Sequence, residues 1–206
     1  MNNMLSVDRA KEIMGNNVIG PDELRAIEWL NEDSLVHIPA IPYSKNILEE
    51  KKDDYLLILG VDKLSNGSEL TIRNLLPVFG KDPDSSEPCF YNQDWYEKES
   101  FIDIPLRNEW FLIRKEVFED SRAVQPSVLL EKHTFPMAST CVYSFFVAWF
   151  SLGVKLWYHD FVWCSDTDHN GDRIYVGKYH DIDEVNKNGF SIHRHLALRL
   201  CYGCID

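Results

Sequence analysis

The stretch PMASTCVYSFFVAWFSL, Pro136 to Leu152, is followed by Gly153 and decides the fold. Proline suits a first helical position, where its missing N–H costs nothing, and glycine suits the residue that ends a helix. The hydroxyls at Thr140, Ser144 and Ser151 recur at spacings of four and seven, so they form one thin, weakly polar stripe on a helix that is otherwise apolar. A helix apolar around most of its circumference packs on several sides. The apolar run also falls short of the roughly 20 residues that a membrane-spanning helix needs. The expectation is a buried core helix over about 136–152 and no membrane partner.

Working outward, residues Lys155 to Cys164, Arg173 to Tyr179 and Phe190 to Leu200 read as three strands joined by polar connections. The first two are expected to pair antiparallel, because a helical crossover does not fit between Ser165 and Asp172. Upstream, Glu109 to Phe118 reads as a strand, and Asp54 to Asp62 as a buried one, a continuous apolar run between charged and turn residues. Residues 69–79 are open between strand and helical turn. The N-terminus reads as two short helices. Ser6 caps the first, which runs to about Met14 ahead of Gly15, and Pro21 opens the second with Asp22 and Glu23 in its first turn. The fold class is therefore α+β: an antiparallel sheet packed on a buried helix, with short helices at the N-terminus.

The chain has 206 residues, 33 acidic against 21 basic, for a formal charge of -12. Such a surplus repels phosphate backbones, so no nucleic-acid partner is expected. The helix pair at the N-terminus does not change this, since Asp22, Glu23 and Glu28 face a single Arg25. The charge is uneven: residues 1–100 hold 10 basic and 19 acidic side chains, and residues 101–206 hold 11 and 14. Of the 26 aromatic residues, 18 fall between Phe90 and Trp163. A polar stretch, Gly80 to Pro88, lies between the two compositions. One domain over 1–206 is expected, with an acidic N-terminal layer over 1–80 and an aromatic-rich core with C-terminal antiparallel strands over 89–206.

Five cysteines and no basic segment leading into an apolar run near Met1 fit free thiols and a cytoplasmic location. No GxSxG, GxGxxG, Walker or HExxH motif is present, which removes the local signatures of several hydrolase and nucleotide-binding classes.

Two constellations carry candidate chemistry. In SDTDHNGD, residues 165–172, Asp166, Asp168 and Asn170 alternate ahead of Gly171, and Asp172 follows. Oxygens at first, third and fifth positions can converge on a hard cation while glycine turns the chain. Over seven residues the segment resembles the first half of an EF-hand calcium loop, which implies Asp166, Asp168 and Asn170 as side-chain ligands and the Asp172 carbonyl as another. The second half departs from that pattern, with Arg173 at the eighth position and Gly177 at the twelfth. A remote carboxylate such as Asp181, Asp183 or Glu184 would have to complete the site. The competing reading is a plain β-hairpin, for which Asn-Gly between β-rich runs is a strong signal. Calcium is the one cofactor suggested.

The second constellation is FSIHRHLALRLCYGC, residues 190–204. On a strand His193 and His195 share one face about 7 Å apart, as do Arg199 and Cys201, while Ile192, Leu196, Leu198 and Leu200 share the other. Two imidazoles with Cys201 and Cys204 form the alternative, transition-metal set. A third stretch, Phe90 to Tyr96, has the aromatic and amide composition of surfaces that stack planar ligands, sugars or proteins. The expected function is a non-catalytic binding or interaction module for a protein or small-molecule partner, with a structural cation in the hairpin as an added possibility. The alternative is a metal-dependent hydrolase using His193 and His195, with Asp166, Asp168, His169 or His180 nearby and the metal activating water.

Overall fold

A computed structural model describes residues 5–178, 189–195 and 197–206. Helix α1 (Val7–Met14) begins where the Ser6 hydroxyl accepts a hydrogen bond from the Arg9 N–H, and ends at Gly15, which turns with φ 60°. Strand β1 (Val18–Ile19) and helix α2 (Pro21–Arg25) follow, then α3 (Lys45–Lys51), β2 (Tyr55–Leu59) and α4 (Ile72–Phe79). The open stretch 69–79 thus resolves as a helix, because Thr71 caps it by accepting from the Asn74 N–H and Pro77 is tolerated near its end. Next come β3 (Trp110–Arg114), α5 (Pro126–Leu129), α6 (Ala138–Leu152), β4 (Phe161–Thr167), β5 (Arg173–Gly177), β6 (Ser191–Arg194) and β7 (Tyr202–Gly203).

The strands form two sheets, β1-β2-β3 and β6-β5-β4-β7. The long pairings are antiparallel, β2 with β3, β4 with β5 and β5 with β6, while the two-residue strands β1 and β7 pair parallel with β2 and β4. The class is α+β, with mixed sheets. Helix α6 packs against β1 of the first sheet and β4 and β5 of the second. Residues Ala138, Ser139 and Cys141 to Ala148 are buried, and the Tyr143 hydroxyl donates to the Leu59 carbonyl at 2.8 Å, tying the helix to the first sheet. Ser144 and Ser151 satisfy their hydroxyls on the carbonyls one turn back, of Thr140 and Val147. The main core draws on both chain halves, from Ala10 through Phe79 and from Phe90 through Ile205. Among the described residues no helix is long and apolar enough to cross a membrane.

The strands are shorter than expected, with two physical causes. Residues Lys155–Asp160 form a loop, in which Trp157 takes a positive φ of 47° and anchors its Nε1 on the Arg114 carbonyl. The C-terminal run leaves the sheet after Arg194, since its partner β5 begins only at Arg173 and the last ladder bond is the His195 N–H to the Arg173 carbonyl. Alternation therefore does not extend to Leu200, which is 76% exposed instead of lying on the core face, and Leu198 packs with the aromatic cluster outside that core. Leu196 lies outside the described residues.

Candidate functional site

The second sheet has two unlike faces. Val162, Cys164, Ile174, Val176 and Ile192 join the main core on the α6 side. The alternate residues Phe161, Trp163 and Tyr175 form a separate aromatic cluster with Tyr202 and Cys204. His193 and His195 reach this same cluster, as their spacing predicts. The His193 ring stacks on Tyr175, with centroids 5.4 Å apart and planes 27° apart, and the His195 ring meets Trp163 edge-on at 5.2 Å.

A cleft of about 370 Å³ opens on this face, lined by Tyr91, Phe161, Tyr175, Ser191, His193, Arg199, Cys201 and Tyr202. Strand β7 completes it. The Phe161 N–H donates to the Cys201 carbonyl at 2.8 Å, and the parallel pairing Phe161–Tyr202 sets the Tyr202 ring 4.5 Å from that of Tyr175. The two phenol oxygens lie 3.0 Å apart in a buried hydrogen bond. Burial, reinforced by that bond, pushes the Tyr175 hydroxyl above its ordinary range. Burial likewise lowers the His193 pKa, favouring the neutral imidazole, and raises that of the Cys201 thiol. A thiol held protonated is a poor nucleophile and a poor metal ligand.

The four residues of the metal set His193, His195, Cys201 and Cys204 are thus divided. His193 and Cys201 line the cleft; His195 covers Trp163, and Cys204 is fully buried, its N–H donating to the Ser121 hydroxyl at 2.9 Å.

The calcium-type set is divided as well. Strands β4 and β5 do form a hairpin, with a register shift between Trp163 and Thr167 and with Gly171 at φ 85°. Asp166 turns to α6, its Oδ2 accepting from the Ala138 N–H at 2.7 Å, and burial raises its pKa. Asp168 has a fully buried side chain whose Oδ1 accepts from the N–H groups of Asn170 (2.9 Å) and Asp172 (2.8 Å), while Oδ2 pairs with Arg194 at 3.2 Å. Burial opposes its ionisation, but those N–H groups and the guanidinium outweigh it and hold the carboxyl below the usual range. Buried Glu99 grips the same loop, accepting from the His169 N–H at 2.9 Å and lying 2.6 Å from its Nδ1. Among the described residues, the group of three that brings possible metal-ligand atoms within 4.8 Å of one another is Glu99, Asp168 and His169. Asp166, Asp172, His193, His195, Cys201 and Cys204 stand outside it. His180, Asp181, Asp183 and Glu184 lie outside the described residues.

A larger cavity of about 580 Å³ lies between the Lys155–Asp160 loop and the end of β3. Much of its charge is spent internally: Arg122 pairs with Asp160 (2.5 Å) and Glu119 (2.8 Å), and Arg114 lies 3.7 Å from Asp54. The aromatic cleft is the better candidate, since its polar groups are not consumed by ion pairs.

Sequence reasoning missed Phe161, Tyr175, Tyr202 and Glu99 as site or latch residues. Phe-x-Trp at 161–163 carried an alternation that could have marked an aromatic face. Tyr202 and Glu99 carried no such signal. No protein-family model matches the chain, and neither a curated protein nor a solved structure matches it significantly.

Proposed function

We propose that this protein is a non-catalytic binding module whose aromatic cleft on the second sheet takes a planar small molecule. The observation that carries this reading is an open cleft of about 370 Å³ whose walls include four aromatic rings and the His193 ring. That volume lies within the range of small-molecule sites, which are typically apolar with a few placed polar groups. Aromatic faces favour offset-stacked or edge-on contact with a further ring. The cleft's candidate nucleophile, Cys201, is shifted away from its reactive form, which favours binding over covalent chemistry. The acidic surface supports a partner other than nucleic acid.

The test is protein-observed NMR against a panel of planar aromatic fragments, neutral, anionic and cationic. The reading expects shifts at Tyr175, Cys201 and Tyr202. Tyr91→Ala, which removes a 39% exposed wall, is expected to weaken binding about tenfold, the equivalent of one aromatic contact. Fragments that bind only elsewhere, or none that bind, would refute it.

A further inference from the structure

We infer that the ligand of this cleft is a planar aromatic acid, whose carboxylate pairs with Arg199 at the mouth while its ring lies among Tyr91, Tyr175 and Tyr202. The inference rests on the binding reading above and adds the ligand's charge. Arg199 is exposed, and among the described residues its side chain has no hydrogen bond or ion pair. By contrast, Arg73, Arg122 and Arg194 each hold a carboxylate. Among the described residues the lining contains no carboxylate. Its other described polar groups are the Ser191 and Tyr91 hydroxyls, the two phenols of Tyr175 and Tyr202 bonded to each other, a thiol and an imidazole that burial holds toward its neutral form. Among the described residues the one permanently charged group of the cleft is therefore a cation without a carboxylate partner, set beside stacked rings. A guanidinium fork matches a carboxylate in two parallel hydrogen bonds, and one cation balances a monoanion better than a phosphate dianion.

Isothermal titration of the full chain with indoleacetate, indoleacetamide and tryptamine separates ring from charge. The acid is expected to bind about tenfold tighter than the amide, and the amine more weakly than either. In Arg199→Gln the acid falls to the level of the amide while the amide changes far less; because the native side chain is exposed and makes no hydrogen bond or ion pair among the described residues, the fold is expected to persist. Added salt weakens the acid alone. Equal binding of acid and amide to the native protein overturns the charge inference and leaves the cleft reading standing. If none of the three binds, the cleft reading fails and this inference with it.

Discussion

Asp168 offers the sharpest test of how the hairpin is held. Its carboxylate is wholly buried and occupied by the Asn170 and Asp172 N–H groups and by Arg194. Hydrogen bonds to a charged acceptor contribute about 1.5–3 kcal/mol each. Arg194, about a third exposed, can return to water when its partner is lost and so adds little. The two N–H groups lie in an exposed turn and regain some water, which places both at the lower end. Asp168→Ala is thus expected to cost about 3 kcal/mol, or roughly 6–12 °C in Tm for a chain of this size. Asp168→Asn, which keeps an oxygen but not the charge, should lose about half as much. Because the folded pKa is depressed, the stabilisation is complete above the ordinary carboxylate value near about 4 and disappears as pH falls through the lower folded value. Urea unfolding of native and Asp168→Ala chains should show a gap that is constant near neutrality and narrows in acid to what the uncharged acceptor retains. A loss below about 1 kcal/mol, within the range of an ordinary surface change, would refute the argument. So would a calcium-dependent rise in Tm that vanishes in Asp166→Ala, since that requires the loop oxygens to be free for a cation.

Asp166 should behave in the opposite way. Burial raises its pKa, so its contribution is present below the ordinary value and is lost as pH rises through the folded one. Asp166→Asn keeps an acceptor for the Ala138 N–H and should cost less than about 1 kcal/mol at neutral pH, with the native chain gaining on the variant as pH is lowered; a large loss at neutral pH in denaturant melts would contradict this. Gly177 ends β5 beside Phe161, where an added Cβ would come within 2.1 Å of the Asp160 carbonyl oxygen. Gly177→Ala should therefore destabilise by at least about 2 kcal/mol in the same melts, and a neutral result would show that the β4–β5 edge is not packed as described.

Much of the fold was legible because it follows from local physics. An apolar helix circumference requires burial, and α6 is buried between two sheets. The Ser6 cap, the Gly15 stop and the Asn170-Gly171 turn each depend on a few consecutive residues, and each occurs where those residues stand. The same-face placement of His193 and His195 follows from strand alternation and holds as far as β5 offers a partner. It fails at Leu198 and Leu200, because a strand continues only where a neighbour supplies hydrogen bonds, and that neighbour is not encoded in the run itself.

The sequence by itself therefore determined the α+β class, the central helix, the hairpin and the shared face of His193 and His195. Tertiary structure alone decided the site. It brought β7 alongside β4, placing Tyr202 and Cys201 opposite His193, and it set Glu99 against His169 across 70 residues of chain. The reason is physical: caps, turns and periodicity are interactions between near neighbours. The pairing of a short edge strand, the burial of a carboxylate and the walls of a cleft depend on which distant groups arrive there.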